Sequence, residues 1–559
     1  MVGKRIGPLR FTKTVQLLQN YPDNYGLGRC RMDRQIPYFP SLLKPDEWYY
    51  YPVSSETTAA ALRNRHLPEI LPEYDAAGIN KLYRHIRVYR VHPRVWTHQE
   101  YVGSMQPPSK RICYQAALDD YYRDGLISTT LQPFTKIEKM KNSKYKAPRL
   151  IQARKPIFNI MYGRYVKALE HILFKHHRLT YHFGKGTNEN IADKIYKLSQ
   201  KWQWKTEGDH KTFDAHVTVE HKKLFNKFLC ACFPQNVKEI KNIGKRLLTA
   251  KCRTRSGETW TVKGTQQSGE VDTSISNTII NIAILKELMH QLGIKGEVLA
   301  NGDDFILFTN KPVDIEKSKE ILKTMNMETE MHKSTRNIHT VEFCANKLAF
   351  SSTGQHVLFK DIDRIYSKFG MTNVQVDYYR TYLMECAHGN WKMMKDTPIG
   401  QEFKRIYYYI LYLEEQLTGQ DQRQVQRQHM KLQYKYLEKE YQRIIKENKD
   451  AKENTSTELT VSMMEAYDEA LDLKKYTSKL INRIKNIYTN YPYMGSIGLK
   501  YLAYNSIMTI SHDTKQSERH KYTDTDELKQ SIQPLLHQAF KTKNNRHIYK
   551  KIRRLTGLK

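Results

Sequence analysis

Two aspartates stand side by side at Asp303 and Asp304, and short apolar runs flank them, Val298-Leu299-Ala300 before and Phe305-Ile306-Leu307-Phe308 after. The Asn301-Gly302 dipeptide between the runs is a strong hairpin signal, because glycine supplies the left-handed backbone that a tight turn between strands requires. This predicts a β-hairpin carrying two carboxylates at its tip. Adjacent carboxylates repel, and a bound divalent cation offsets that cost. By itself the tetrapeptide is as compatible with a solvated acidic turn as with a metal site.

Three further segments bear on that choice. Trp202, Trp204 and Thr206 alternate with polar residues, which predicts a half-buried strand ending at Asp209-His210-Lys211-Thr212-Phe213-Asp214. Aspartates at a strand end also serve as turn or cap residues. Gly264 and Gly269 bracket a loop containing Ser268, and Thr273 to Leu292 reads as a helix with Ile275, Ile279, Ile282 and Leu285 at helical spacing. Thr273 and Asn277 are four apart and share one face of it. The glycines allow close backbone approach to a ligand. A helix start capped by Ser268 or Asp272 explains the segment equally well. Lys144, Lys146, Arg149, Arg154 and Lys155 fall close together around Pro148 and Pro156, which hold the backbone extended. A stiff cationic strand suits a triphosphate or template phosphates. A solvated basic loop is the plainer alternative.

Composition selects among partners. Lys plus Arg number 91 against 58 Asp plus Glu, a net charge of +33 that attracts polyanions, nucleic acid foremost. The 559 residues exceed one ordinary core, and 40% apolar content argues against wholesale disorder. The seven cysteines are scattered without a C-x-x-C pair, which points to free thiols in a reducing compartment. No apolar run approaches the ~20 residues that cross a bilayer, and Met1-Val2-Gly3-Lys4-Arg5 lacks a signal peptide's apolar stretch. A cytosolic protein is expected.

The order basic strand, D-x4-D, Ser-Gly-x3-Thr-x3-Asn and Gly-Asp-Asp resembles the signature of viral RNA-dependent RNA polymerases. Within these, the chain resembles the tombusvirus-like group of positive-strand RNA viruses. Pro148, Arg149, Ile151, Gln152, Arg154, Phe158, Asn159, Gly163, Arg164, Tyr165 and Glu170 are similar to that group's fingers motif. Phe213-Asp214-Ala215-His216-Val217 resembles its first acidic motif, and Glu342-Phe343-Cys344 the hairpin that grips a primer end. The run from Leu358 through Asp361 to Ser367-Lys368 resembles its entry into the thumb. Lys211-Thr212, Asp272 and Phe305 depart from the residues common in that group, and none of them is a metal-ligand position. The resemblance covers roughly residues 140–400.

It implies an α+β right-hand polymerase with fingers, a palm of antiparallel sheet plus helices, and a helical thumb. The expected divisions are an N-terminal extension at 1–110, fingers at 111–200, palm at 201–348, thumb at 349–420 and a helical basic extension at 421–559. Asp209, Asp303 and Asp304 would hold two Mg²⁺ ions, or Mn²⁺, with hard oxygen donors. Lys146, Arg149 and Arg154 would neutralise the triphosphate. Asp214 and Asn277, supported by Ser268, Gly269 and Thr273, would recognise the ribose. Lys323 or Lys333 would protonate pyrophosphate. The implied partners are RNA template and product, nucleoside triphosphates, and a viral companion protein that anchors the enzyme to host membranes in the cytoplasm.

Helices are expected over 110–135 and 160–180, helical periodicity between 420 and 446, and a linker at 513–527. The aromatic run Ile406 to Leu413 reads as a thumb-helix core rather than a membrane contact. Two rival functions are weighed. A reverse transcriptase would not need the Asp214 and Asn277 pair, and it usually carries a bulkier residue than Gly302. A non-catalytic RNA scaffold would not need three carboxylates beside its polyanion. Gly184-Lys185-Gly186-Thr187 lacks the spacing of a phosphate-loop ATPase.

Overall fold

In the computed structural model, described residues are 32–34, 38–425 apart from short breaks (52, 142, 144–145, 176–179, 256–258, 352, 375–378 and 396), 463, 473–490 and fragments between 534 and 556. Lys144, Cys30, the 426–446 periodicity and the 513–527 linker lie outside them.

The apolar runs that frame the aspartate doublet are continuous rather than alternating because their sheet is buried on both faces. β3 (Trp204–His210) is central, with order β6-β7-β3-β8, where β6 is Gly296–Asn301, β7 Asp304–Thr309 and β8 Thr329–Met331. Every pairing in it is antiparallel. Val298, Ala300, Phe305 and Leu307 pack on one face against α6 (Thr273–Leu292). Leu299, Ile306 and Phe308 pack on the other against Ile195 and Leu198 of α3 (Asn188–Lys201) and against Phe343. Fully burying each such side chain contributes about 1.5–3 kcal/mol, so the hairpin has one workable register. A one-residue slip would exchange the two faces.

Upstream lies a second sheet of order β2-β1-β4-β5, with β1 Leu131–Thr135, β2 Leu150–Arg154, β4 Thr249–Arg253 and β5 Thr259–Lys263. It is antiparallel except where β1 runs parallel to β4. α1 (Pro108–Asp124) and α2 (Pro156–Leu173) flank it in sequence. The helix expected over 110–135 therefore needs correcting. It stops at Asp124, where Gly125 is left-handed, and Leu131–Thr135 is a strand whose burial alternates. Period-two burial of Leu131, Pro133 and Thr135 overrides helical continuation there. α2 starts at Pro156, earlier than the expected 160, because proline suits a first helical turn.

α4 (Val219–Cys232) and α5 (Val237–Leu247) form a helical hairpin after β3. α7 (Ile315–Thr324) precedes β8, and a three-stranded sheet follows, β9 Glu342–Phe343, β10 Asn346–Phe350 and β11 His356–Lys360. The rest is helical: α8 Ile362–Lys368, α9 Tyr379–Met393, α10 Pro398–Thr418 and α11 Leu473–Asn490. Ile406, Tyr407, Ile410 and Leu411 of α10 are buried with Leu480 and Ile484 of α11, while Tyr408 and Tyr412 are exposed. The six described cysteines are free thiols. Among the described residues no helix is long and apolar enough to cross a membrane.

Candidate active site

The sheet register brings the acidic segments together. Asp209 lies directly opposite Asp304, and Glu330 opposite Asp209 on the other side. Asn301 pairs with Asp304, so the central turn residues are Gly302 and Asp303, one position later than an Asn-Gly turn. Gly302 has φ +61°, the conformation that a glycine at the first turn position supplies without strain.

Helix α6 explains that placement. Thr278 Oγ1 accepts the Gly302 N–H at 2.9 Å, and Asn281 Nδ2 donates to the Gly302 carbonyl at 2.9 Å. Both polar atoms of one glycine are thus bound by side chains a turn apart on the helix. With its amide nitrogen committed, Asn281 presents Oδ1 to His210 Nε2 at 2.7 Å, and His210 Nδ1 meets Thr329 Oγ1 at 2.7 Å. His210 is fully enclosed, and burial pushes it down to about 4, the Asn281 hydrogen bond opposing. A neutral imidazole protonated at Nε2 satisfies both contacts. Asn281 therefore ties the strand of Asp209 to the turn of Asp303.

The carboxylates are electrostatically crowded. Asp209 reaches the surface, yet desolvation and the neighbouring Asp303 and Asp304 charges push it up to about 7, Lys146 opposing. Burial and Asp303 push Asp304 up to about 6, while the Cys344 thiol, hydrogen-bonded to it, opposes. Burial raises Asp303 as well, with Arg149 and a hydrogen bond from Asp209 opposing. A proton shared between Asp209 and Asp303 is the metal-free solution to this crowding. All donors are hard oxygens, the set that suits Mg²⁺ or Mn²⁺. Among the described residues, the trio whose ligand atoms all lie within 4.8 Å of one another is Glu69, His216 and Glu328 rather than these three aspartates.

Asn277 Nδ2 donates to Asp214 Oδ1 at 2.9 Å. Burial pushes Asp214 up to about 6, Asn277 opposing. The Asn277 Oδ1 is buried without a hydrogen-bond partner. That acceptor, beside a carboxylate, is the polar pair that a hydroxyl-bearing ligand can use.

A family model described as viral RNA dependent RNA polymerase matches residues 71–482. The chain belongs to that family. Among curated relatives, the RNA-directed RNA polymerase of Oat chlorotic stunt virus (isolate United Kingdom) is 25% identical over 337 residues, 56% of this chain and 44% of the relative. That of Turnip crinkle virus is 30% identical over 260 residues, 43% of this chain and 32% of the relative. That of Tomato bushy stunt virus (strain Cherry) is 30% identical over 245 residues, 40% and 28% of the two chains. The chain thus spans less than half the length of each.

The remaining expected residues do not share one environment. Lys146 and Arg149 are exposed, and their charges reach Asp209 in the first case and Asp303 and Asp214 in the second. Arg154 stands apart from them and requires a correction as a direct triphosphate contact. Its side chain is wholly buried, with Nε donating to Glu270 Oε1 at 2.5 Å and Nη1 donating to the Thr129 carbonyl. β2 turns successive side chains to opposite faces, and Arg154 is on the inner one.

The loop residues mainly hold the loop. Ser268 Oγ donates to the Leu150 carbonyl at 2.6 Å, and Thr273 Oγ1 to the Gln267 carbonyl at 2.9 Å. A Cβ at Gly269 would lie 2.6 Å from the Gln152 carbonyl oxygen, so the backbone that this glycine approaches is the chain's own β2. Lys323 pairs with Glu320 at 3.4 Å on α7, and Lys333 is exposed after β8. Neither position selects one of them as the proton donor.

Thr278, His210 and Asn281 were not singled out as site residues by sequence reasoning, and Cys344 was read only as part of the hairpin resembling a primer grip. One signal was present: α6 is apolar around its circumference yet buries Thr278 and Asn281 at spacing i, i+3. Buried polar groups in such a helix need partners.

Proposed function

We propose that the chain carries out template-directed RNA synthesis, replicating and transcribing a positive-strand RNA virus genome by two-metal nucleotidyl transfer. The observation that carries the reading is the cross-strand register of Asp209 with Asp304, with Asp303 at the adjoining turn. The proposed architecture is a right hand with fingers at 111–200, palm at 201–348, helical thumb at 349–420, and extensions at 1–110 and 421–559.

Bound Mg²⁺ supplies charge stabilisation for the attacking and leaving oxygens of an in-line displacement. Asp209 and Asp303 are the proposed ligands, with Asp304 beside them. Asn277 and Asp214 accept and orient the ribose hydroxyls, the free Asn277 Oδ1 serving a 2′-hydroxyl. Lys146 and Arg149 neutralise the triphosphate and the departing pyrophosphate. Arg154 acts indirectly, by bracing β2 against the Glu270 loop. The proposed partners are RNA, nucleoside triphosphates and a membrane-anchored viral companion, in host cytoplasm at replication sites.

The test is labelled-nucleotide incorporation on single-stranded RNA with Mg²⁺ or Mn²⁺, comparing the unaltered chain with Asp303→Asn and measuring RNA binding of both. Incorporation lost with binding kept is the expected result. An equally active Asp303→Asn variant would refute the metal assignment, and a preference for deoxynucleotides would favour a reverse transcriptase.

A further inference from the structure

The helical hairpin α4–α5 carries a cationic groove remote in sequence from the carboxylate hairpin. Its volume is about 470 Å³. Lys223 and Lys227 stand on one wall and Lys241 on the other, over a floor that includes Cys230, Ala231 and Val237. Lys238, Lys245 and Arg246 are further cations of α5 outside that lining, and all six are exposed.

Several surface lysines elsewhere on the chain sit in helix ion pairs. On α7, Lys319 pairs with Glu316 at 3.7 Å and Lys323 with Glu320 at 3.4 Å; on α3, Lys197 pairs with Asp193 at 2.8 Å. Among the described residues none of these six cations takes part in an ion pair, although Lys227 Nζ sits 4.5 Å from the centre of the Tyr83 ring. Glu239, the acidic residue of α5, is turned away to Arg164 at 3.0 Å and to Tyr165. A helix that only needed solubility would gain from i, i+4 partners of opposite sign. Three cations lining one groove with no carboxylate among its lining residues repel one another, and an external polyanion relieves that repulsion.

We propose that this groove binds the phosphodiester backbone of single-stranded RNA outside the catalytic cleft, an inference that rests on the reading that the chain acts on RNA. Lys223 and Lys227 are one helical turn apart, about 6 Å, comparable with the step between successive phosphates of an extended strand. No large apolar or aromatic side chain is exposed on the described hairpin. The Tyr83 ring beside the groove is already covered by the Lys227 ammonium at 4.5 Å, and the groove reads charge rather than sequence. A bilayer would find nothing to insert, and a concave groove suits a strand better than a flat surface does.

The test uses the full chain with Lys223→Gln, Lys227→Gln and Lys241→Gln combined, and as a second variant Lys238→Gln, Lys245→Gln and Arg246→Gln. Affinity for a long unstructured RNA is measured across a salt series, alongside anionic phosphatidylserine vesicles and incorporation on a short primed template. Each lost phosphate contact lowers the salt slope by about 0.7 on single strands. The first variant should lose about 2 in slope, roughly 40-fold in affinity at 0.15 M salt relative to the 1 M limit, with short-template incorporation unchanged. A slope equal to the unaltered chain's in the first variant overturns the proposal, whatever the second variant does. Loss of vesicle binding with RNA binding kept also overturns it, in favour of a membrane surface. Absence of incorporation by the unaltered chain would count against the polymerase reading, while the salt slope would still decide the groove.

Discussion

Replacing Asn281 by alanine tests whether α6 holds the Gly302–Asp303 turn in place. The side chain is fully buried and makes two directed contacts, donating to the Gly302 carbonyl and accepting from His210 Nε2. Alanine strands both partners away from water. An unsatisfied buried group costs about 1–3 kcal/mol, so the two together predict a loss of about 2–6 kcal/mol in unfolding free energy. Thr278 still holds the Gly302 N–H, so the turn should shift rather than open. A displacement of order 1 Å costs about 100-fold in rate. Denaturant unfolding of the metal-free chain reads the first quantity, and a Mg²⁺ titration of nucleotide incorporation reads the second. The half-saturating Mg²⁺ concentration should rise, because Asp303 is no longer held against the Asp209 strand. Asn281→Asp keeps an acceptor for His210 while losing the donor to Gly302, and should reproduce the metal effect. A stability loss below about 1 kcal/mol, which is less than one stranded group costs, with an unchanged Mg²⁺ requirement, would refute the reasoning.

Four further outcomes follow from the structure. Asp209 pushed up to about 7 and Asp304 to about 6 must shed protons before ligating, so Mg²⁺ or Mn²⁺ affinity measured by calorimetry should rise between about pH 6 and 7 and level off above; a flat profile contradicts this. The same groups hold protons more tightly folded than unfolded, so their contribution to metal-free stability should fall as pH rises from about 4 through 7, as a melting series would report. Breaking the buried Arg154–Glu270 pair with Arg154→Met should cost about 3–5 kcal/mol, and a double-mutant cycle with Glu270→Gln should recover part of it; additive losses would show that the two are not coupled. Gly269→Ala must push the loop off the Gln152 backbone, raising the nucleotide KM more than it lowers RNA affinity, and an unchanged KM would place the loop away from the nucleotide.

Periodicity and turn chemistry made much of the centre legible. The apolar runs around Asn301 to Asp304 predicted the hairpin, and the helix predicted from Thr273 to Leu292 has those bounds in the structure. A helix stop was harder to read near Gly125, because Leu131–Thr135 alternates only weakly in sequence. The local pattern also placed the turn one residue early, since Asn301-Gly302 is the better isolated turn and only α6 tips the balance.

Arg154 and Arg149 show where local information ends. Both are arginines on one short extended segment, and residue type assigns them the same role. Strand direction buries one against Glu270 and leaves the other exposed. The identity of the acidic residues, their order and the net charge are properties of the sequence by itself, because they require only residue type and spacing. The facing of Asp209 with Asp304 and the Asn281 link between His210 and Gly302 were decided by the tertiary structure. Each depends on long-range pairing between segments, and the energy that selects such pairings comes from burial on both faces of a sheet rather than from any local pattern.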